Sequence, residues 1–438
     1  MSAEPVTAAP ATRAHALGVS AEYAYVDGLA HPGVFAKGPL QLVRLVERAS
    51  RAGELPGVVL VVDDDALPLL GLPAQLGPGR EHEAAPEEAR AAGWRVSDLG
   101  HWTSFWRTGA PAVHMVVPAW RSAKYAHGPL VEPGDLGVTT YRLARFHTFN
   151  GGPFQLTPGW SGIEALRERK YVGTPYWRPR FTGNLDNAVR GGERDFAWDA
   201  ATLDNSPYRH RYDANTAYLA AAQLVSIAAD QLERTHKAWD KTRAGYWLVT
   251  PPPWQHPQIL DPTACLPRDD KGRVWLCTPT LDLLMGLAED GHCAAPTLHD
   301  SYTAPGTRKI LRPWAERLRD GLAALDPTRH DPDDEAVYRA VKDSTRETVG
   351  LFARSTTKTA VYRPDWRHAV ASQCRVSLWR RMWAIGQAQD RWPLAVHVDA
   401  VTYGSHDPDP VSACPEGITL GPGLGKFHVY NEPPAVAE

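Results

Sequence analysis

The chain has 438 residues, a formal net charge of −3, and 43% hydrophobic against 22% charged residues; that is globular composition at a length that accommodates two or three domains, and it excludes a mini-protein. The longest apolar run, near residue 60, is cut by Asp63, Asp64 and Asp65, so no segment is expected to span a bilayer, and the N-terminus shows no signal or transit pattern, which points to the cytoplasm. Five cysteines without a CxxC pair argue against a disulfide framework and a structural zinc site, and the near-neutral charge means that any nucleic-acid site must come from a local patch.

Residues 1–19, rich in Ala, Pro and Thr, are expected to form a disordered tail. EYAYVDG (22–28) reads as a strand, residues 38–53 as a helix and GVVLVVDDD (57–65) as a buried strand, which is β-α-β patterning. Three short strands of a meander follow at GWRVSD, HWTSFWR and AVHMVVPAW, then a helix over 136–150 stopped by Gly151-Gly152-Pro153. A first domain over 20–155 and an irregular connector over 156–204 result. Beyond it the pattern predicts a helix over 213–230 entered from a strand, strands at 245–250 and 273–278, and helices at 279–290, 309–325, 333–353 and 366–390. A hairpin, PLAVHVD then AVTYGS, closes a second domain over 205–438.

Three segments of this second half are suited to chemistry when read together. In Tyr212-Asp213-Ala214-Asn215-Thr216-Ala217-Tyr218 a carboxylate stands where a strand runs into a helix; such an Asp can hold a divalent ion beside a triphosphate, and Tyr218 can close against a sugar. In Lys342-Asp343-Ser344-Thr345-Arg346 a Lys and an Arg lie one helical turn apart on one face. In His397-Val398-Asp399-Ala400-Val401-Thr402-Tyr403 a carboxylate sits at a hairpin tip. Each also has an ordinary reading, as a helix cap, a solvated face and a turn residue.

In this order and spacing the three segments resemble motifs A, B and C of family B DNA polymerases, especially the compact protein-primed kind. Asp213, Thr216 and Tyr218 match D-x-x-S-L-Y-P, and Lys342 and Gly350 match K-x-x-x-N-S-x-Y-G in spacing. Asp399 falls on the first Asp of D-T-D-S, whereas Val401 takes the second Asp position, and Arg346, Glu347 and Val349 replace the Asn-Ser and Tyr of motif B. DANTAYLAAA, AVKDSTRETVG, WRHAVASQCRVSLWRRM and PLAVHVDAVTY are similar, more narrowly, to the telomere-associated proteins (Tap) of linear actinomycete replicons, over about residues 205–430.

This resemblance implies a mixed α/β chain: a degenerate exonuclease-like (RNase H-like) N-terminal domain, then a family B polymerase-like palm with a helical fingers insertion over about 305–390 and a vestigial C-terminal region. It implies a nucleoid-associated protein that binds the single-stranded 3′ overhang of a replicon end and recruits a terminal protein, with no membrane partner and no required cofactor. Asp213 and Asp399 would hold Mg²⁺ loosely at most. The alternative is an active protein-primed polymerase or other nucleotidyltransferase using Asp213, Asp399, Lys342 and Tyr218, with Asp407 or Asp409 as further carboxylates. For the first domain, exonuclease chemistry needs a D-x-E, and Asp27 is followed by Gly28 and Leu29.

The local basic patch lies between residues 351 and 381, where Arg354, Lys358, Arg363, Arg367, Arg375, Arg380 and Arg381 face the single acid Asp365 with Trp366, Trp379 and Trp383 interleaved. It reads either as a solvated helix face over core Trp residues or as a track for single-stranded DNA, with Trp366 as a stacking platform. Lys342 and Arg346 would lie near that track. The same mixture recurs at Trp177, Arg178 and Arg180.

Overall fold

A computed structural model describes residues 13–32, 41–55, 57–76, 84–120, 130–168, 181, 183–194, 196–200, 205–235, 238–304, 306–325, 331–354 and 361–430. The chain divides into two compact units, 1–168 with 320–348 and 169–319 with 349–438.

The first unit holds β1 (Ala16–Val19), β2 (Tyr23–Val26), β3 (Leu29–Pro32), α1 (Leu42–Ala52), β4 (Gly57–Val62), α2 (Ala84–Ala91), β5 (Arg95–Val96), β6 (Trp102–Trp106), β7 (Ala112–Val116), α3 (Leu136–Asn150) and α4 (Pro158–Glu168). Its seven strands form one sheet in the order β3-β2-β1-β4-β7-β6-β5. β1, β4 and β7 run parallel at the centre, and antiparallel strands close both edges. All six residues of β4 are buried, as expected of a parallel strand covered on both faces.

Two expectations change here. Ala16–Val19, assigned from its Ala content to the disordered tail, is a fully buried strand at the sheet centre; four residues are too few to show a period. Asp27, read as the vestige of an exonuclease acid, sits in the β2–β3 turn with φ 50°, followed by Gly28 with φ 92°. Asp-Gly is the pair that a two-residue hairpin with left-handed backbone prefers. The Asp27 carboxylate accepts the His15 and Ala16 N–H groups at 2.9 and 2.7 Å, so it ties the turn to β1. Asp63 caps a short 3-10 turn through the Asp64 N–H, and Asp65 accepts the Ala21 N–H.

The second unit holds α5 (Asn184–Arg190), β8 (Ala197–Asp199), β9 (Tyr208–Ala214), α6 (Ala217–Leu224), β10 (Ile227–Ala228), β11 (Glu233–Arg234), β12 (Gly245–Thr250), β13 (Val274–Cys277), α7 (Thr278–Glu289), β14 (Thr297–Thr303) and β15 (Thr307–Arg308). α8 (Arg312–Ala324), α9 (Pro332–Leu351), α10 (Pro364–Gln389), β16 (Ala395–His397), β17 (Ala400–Ser405) and β18 (Phe427–Val429) complete the chain. Helices α4 and α5 and strand β8 thus form inside the segment read as an irregular connector. The end of α8 and most of α9, read as part of a fingers insertion, group with the first unit. Polar contacts hold them there: Arg142 to Asp333 at 2.8 Å, Arg145 to Asp334 at 2.5 Å, and the Ser344 hydroxyl to Asn150 Oδ1 at 3.0 Å.

Two sheets organise the second unit, β11-β14-β12-β13 and β18-β9-β17-β16-β8. The five-stranded sheet carries the candidate site. Tyr212, Val401, Tyr403 and Val396 from one of its faces enter a core with Val376, Trp379 and Met382 of α10.

Candidate functional site

β9 alternates: Tyr212 and His210 are buried, while Arg209, Arg211 and Asp213 take the opposite face, as the pleat requires. Across from it on β17, Ala400 pairs with Asp213, Val401 with Tyr212, Thr402 with Arg211 and Gly404 with Arg209. His397 of β16 pairs with Ala400, and His428 of β18 pairs with Asp213. Directly paired residues share a face at about 4.5 to 5.5 Å. A row His397, Ala400, Asp213, His428 therefore crosses the sheet.

The motif resemblance puts Val401 where a motif C would have its second Asp. The structure turns its side chain the other way, 1% exposed beside Tyr212 and Tyr403. The position that faces Asp213 is Ala400. Asp399, the carboxylate expected at motif C, lies in the two-residue turn between β16 and β17, and its carbonyl accepts the Ala214 N–H at 3.1 Å. That turn carries Val398 at φ 61°, a conformation in which a β-branched residue is strained.

Asp213 has a neighbour on its other side. His428 Nε2 lies 3.7 Å from Asp213 Oδ2, and His428 Nδ1 lies 3.0 Å from Asn215 Oδ1. Asn215 Nδ2 donates to the Gly421 carbonyl at 2.6 Å, which leaves its Oδ1 to accept from His428 Nδ1. The Asn215 N–H donates to the Lys426 carbonyl at 2.8 Å, so the loop 420–426 clasps the end of β9. Thr216, expected as a motif A hydroxyl, holds φ 50° at the N-cap of α6, and Tyr218 is half-buried in the first turn of that helix.

Asp213 and Asp399 come to the same end of one strand pair, but a pair of bridged metal ions needs carboxylates on both sides. Ala400 supplies none toward Asp213. Among the described residues no group of three or more His, Cys, Asp or Glu side chains is placed to hold a metal ion. Asp407 and Asp409 lie beyond the far end of β17: Asp407 accepts the Asp409 N–H, and Asp409 accepts the Ser412 hydroxyl at 2.6 Å. The residues present do not fit a two-metal centre.

The proposed basic track is largely redistributed. Arg363 is fully buried, bonded to Asp365 at 2.6 Å and to the Ala228 carbonyl at 2.7 Å. Trp366 is fully buried, with its indole N–H on the same carbonyl at 2.8 Å. Arg375 is 2% exposed and pairs with the equally buried Glu193 at 3.0 Å. These three are core groups and cannot contact DNA. Arg354 is exposed and Arg367 half-buried. Lys342 and Arg346 are exposed on α9 in the first unit, with Arg346 3.1 Å from Asp343. Lys358, Trp177, Arg178 and Arg180 lie outside the described residues.

Sequence reasoning missed Arg209, Arg211, Asn215 and His428. The signal for the first two was present in Tyr208-Arg209-His210-Arg211-Tyr212-Asp213, whose strict alternation puts two arginines on the face of the carboxylate. Arg211 lies 4.6 Å from the Tyr430 ring centre.

No known protein family matches the sequence, and no curated protein matches it. Among solved structures the chain is similar to Phi29 DNA polymerase in an orthorhombic crystal form, at 10% identity and TM-score 0.45, covering 94% of this chain and 82% of that one. It is similar also to Phi29 DNA polymerase complexed with primer-template DNA (10% identity, TM-score 0.44, 94% and 84% covered) and with single-stranded DNA (12%, 0.43, 88% and 76%).

Proposed function

We propose that this chain is a telomere-associated DNA-binding protein of a linear actinomycete replicon: it holds single-stranded 3′ ends on a polymerase-like palm that does not add nucleotides, and it recruits a terminal protein. The observation that carries the reading is the pairing of Asp213 with Ala400. Motifs A and C meet in one antiparallel pair, as in a palm, yet the partner of the motif A residue is a methyl group. Arg209 and Arg211 on the same face supply the phosphate contacts that Arg363 and Arg375 cannot, because fixed guanidinium groups on a strand neutralise a backbone without reading sequence. Arg354, Arg367, Lys342 and Arg346 are further contacts in this reading, as are Lys358, Trp177, Arg178 and Arg180. The first unit is an exonuclease-like scaffold without nuclease activity, consistent with Asp27 being spent on a turn. No cofactor is required, and no helix among the described residues is long and apolar enough to cross a membrane.

The test combines a duplex carrying a labelled 3′ overhang with the four dNTPs and Mg²⁺ or Mn²⁺. Retention of the overhang without extension is expected, with a terminal protein increasing the retained fraction. Extension that disappears in Asp213→Asn would establish the alternative, an active polymerase. Equal affinity for blunt and overhanging ends would overturn the reading.

A further inference from the structure

On the face of the five-stranded sheet opposite its core, β9 carries a short row of charges. Arg209, Arg211 and Asp213 alternate there with the buried His210 and Tyr212, and residues two apart on a strand stand about 6.7 Å from one another. Their partners on β17 are Gly404, Thr402 and Ala400, so the strip beside the row carries only small side chains. One end of this strip is open and the other is closed: Gly404 and Thr402 are half-buried, whereas Ala400, beside Asp213, is 2% exposed. Lys426 does not prolong the row. Its stem lies back over the loop, where a Cβ on Gly421 would meet its Cδ at 3.1 Å.

The groups along the row are unspent. Among the described residues Arg211 has no hydrogen-bond or ion-pair partner, and its Nε is buried without one. Its guanidinium is held over the Tyr430 ring at 4.6 Å, and the Tyr430 N–H donates to the Arg211 carbonyl at 2.9 Å, so ring and guanidinium are fixed together. A guanidinium placed in this way answers a phosphate. The Thr402 hydroxyl, across from Arg211, adds a donor on the same face. Asp213 offers the opposite chemistry. Its carboxylate can only accept, and among the described residues it takes no hydrogen bond: His428 Nε2, at 3.7 Å from Oδ2, is too far for one, and His428 Nδ1 is engaged by Asn215 at 3.0 Å.

A DNA strand that ran straight along the row would set a phosphate against Asp213, where two anions repel. A strand that stops there presents a hydroxyl instead, and a carboxylate is a strong acceptor for it. The closed end of the strip at Ala400 leaves no path onward. We infer that Asp213 accepts the terminal 3′-hydroxyl of a DNA strand directly, with no metal ion between them, while Arg211 and Arg209 hold the last two phosphodiesters. This inference rests on the proposed function and adds to it the chemical feature that tells a free 3′ end from the interior of a strand and from a phosphorylated end. The order of charges carries it: two cations followed by one anion match a ligand that is anionic along its length and neutral, with a donor, at its tip.

The experiment measures, by fluorescence anisotropy on the full chain in EDTA, the affinity of one short single strand made with three ends: 3′-hydroxyl, 3′-deoxy and 3′-phosphate. The hydroxyl end is expected to bind best, the deoxy end about 3-fold to 10-fold more weakly and the phosphate end about 10-fold or more weakly. Asp213→Ala should bind the three ends alike. Asp213→Asn should lose the penalty on the phosphate and still prefer hydroxyl to deoxy, because an amide oxygen also accepts. Arg211→Gln should weaken all three ends by one common factor. The inference falls if the parent chain binds the three ends alike, if its preference persists in Asp213→Ala, if Arg211→Gln binds like the parent, or if the preference appears only when Mn²⁺ replaces EDTA, which would give the end to an ion. Overhangs retained equally with all three ends would remove this inference and leave the proposed function standing, whereas failure of every strand to bind would overturn the proposed function itself.

Discussion

Asp213 and Ala400 are direct partners across β9 and β17, and the next pair along, Tyr212 and Val401, points into the core. The register therefore separates two positions that the motif alone confuses. Both positions are covered, Ala400 at 2% and Val401 at 1% exposure, but an acid at 401 would lie among Tyr212, Tyr403 and Val376, whereas an acid at 400 would stand beside Asp213.

Val401→Asp should therefore cost on the order of 3 kcal/mol or more in a denaturant titration, because it places a carboxylate in an apolar core. Ala400→Asp should behave differently. Its carboxylate repels Asp213, and a divalent ion relieves that repulsion, so millimolar Mn²⁺ should raise the melting temperature of this variant and leave that of Val401→Asp unmoved. Metal-dependent stabilisation confined to Val401→Asp would contradict the register.

Much of the fold was legible in sequence where its elements are long or strictly periodic. GYWLVT is β12 residue for residue, 136–150 is α3, and the helix expected over 366–390 is α10. The hairpin around Asp399 was visible as two apolar runs flanking a two-residue tip. Which face each side chain takes was not, since it depends on the partner strand's register and a slip of one residue inverts it. Burial of the basic stretch was hidden for a related reason. Arg363 finds Asp365 two residues away, but Arg375 finds Glu193 from far along the chain, and a charge count cannot distinguish a solvated arginine from one neutralised in a core.

Val398 holds a left-handed conformation at the first position of a two-residue hairpin turn, a place that favours glycine. Val398→Gly removes the side-chain strain, at some cost in unfolded-chain entropy, and should stabilise the protein by about 1 kcal/mol. Equal or lower stability in a urea titration would show that the side chain's packing outweighs the strain.

Arg211 and Arg375 should separate cleanly by salt and by denaturant. Arg211→Ala removes a contact on the Asp213 face. If that contact is to phosphate, the slope of log K against log salt for a single strand should flatten by about 0.7, with little change in stability. Arg375→Ala leaves Glu193 buried without its partner and should cost about 3 to 5 kcal/mol of folding free energy. An unchanged salt slope in Arg211→Ala would move the DNA path off this sheet face.

Three buried imidazoles set the acid limit of the fold. Burial lowers His114 to about 4 and His368 and His147 to about 3, with His15 and His114 adding to the effect at His147. Each is neutral in the folded chain at pH 7; at His368 the nearby Arg367 charge adds to the effect of burial, and Nδ1 lies 2.8 Å from the Tyr246 hydroxyl. The unfolded chain takes up these protons near pH 6.5 and the folded chain only near 3 to 4, so the unfolded state binds more protons between those limits. Their contribution to stability is thus complete above about pH 6.5 and is lost as the pH falls toward 4, by about 2 kcal/mol per histidine at pH 5. His147 isolates the effect: its Nδ1 has no hydrogen-bond partner, and its ring stacks on His15 with centroids 4.3 Å apart, so phenylalanine can take its place without leaving a polar group unpaired. His147→Phe should match the parent chain at pH 7.5 to within about 1 kcal/mol and exceed it at pH 5 by about 2 kcal/mol. Urea titrations at pH 7.5, 6 and 5 measure the difference directly, and parallel curves for the two proteins would show that His147 protonates as readily in the folded chain as in the unfolded one.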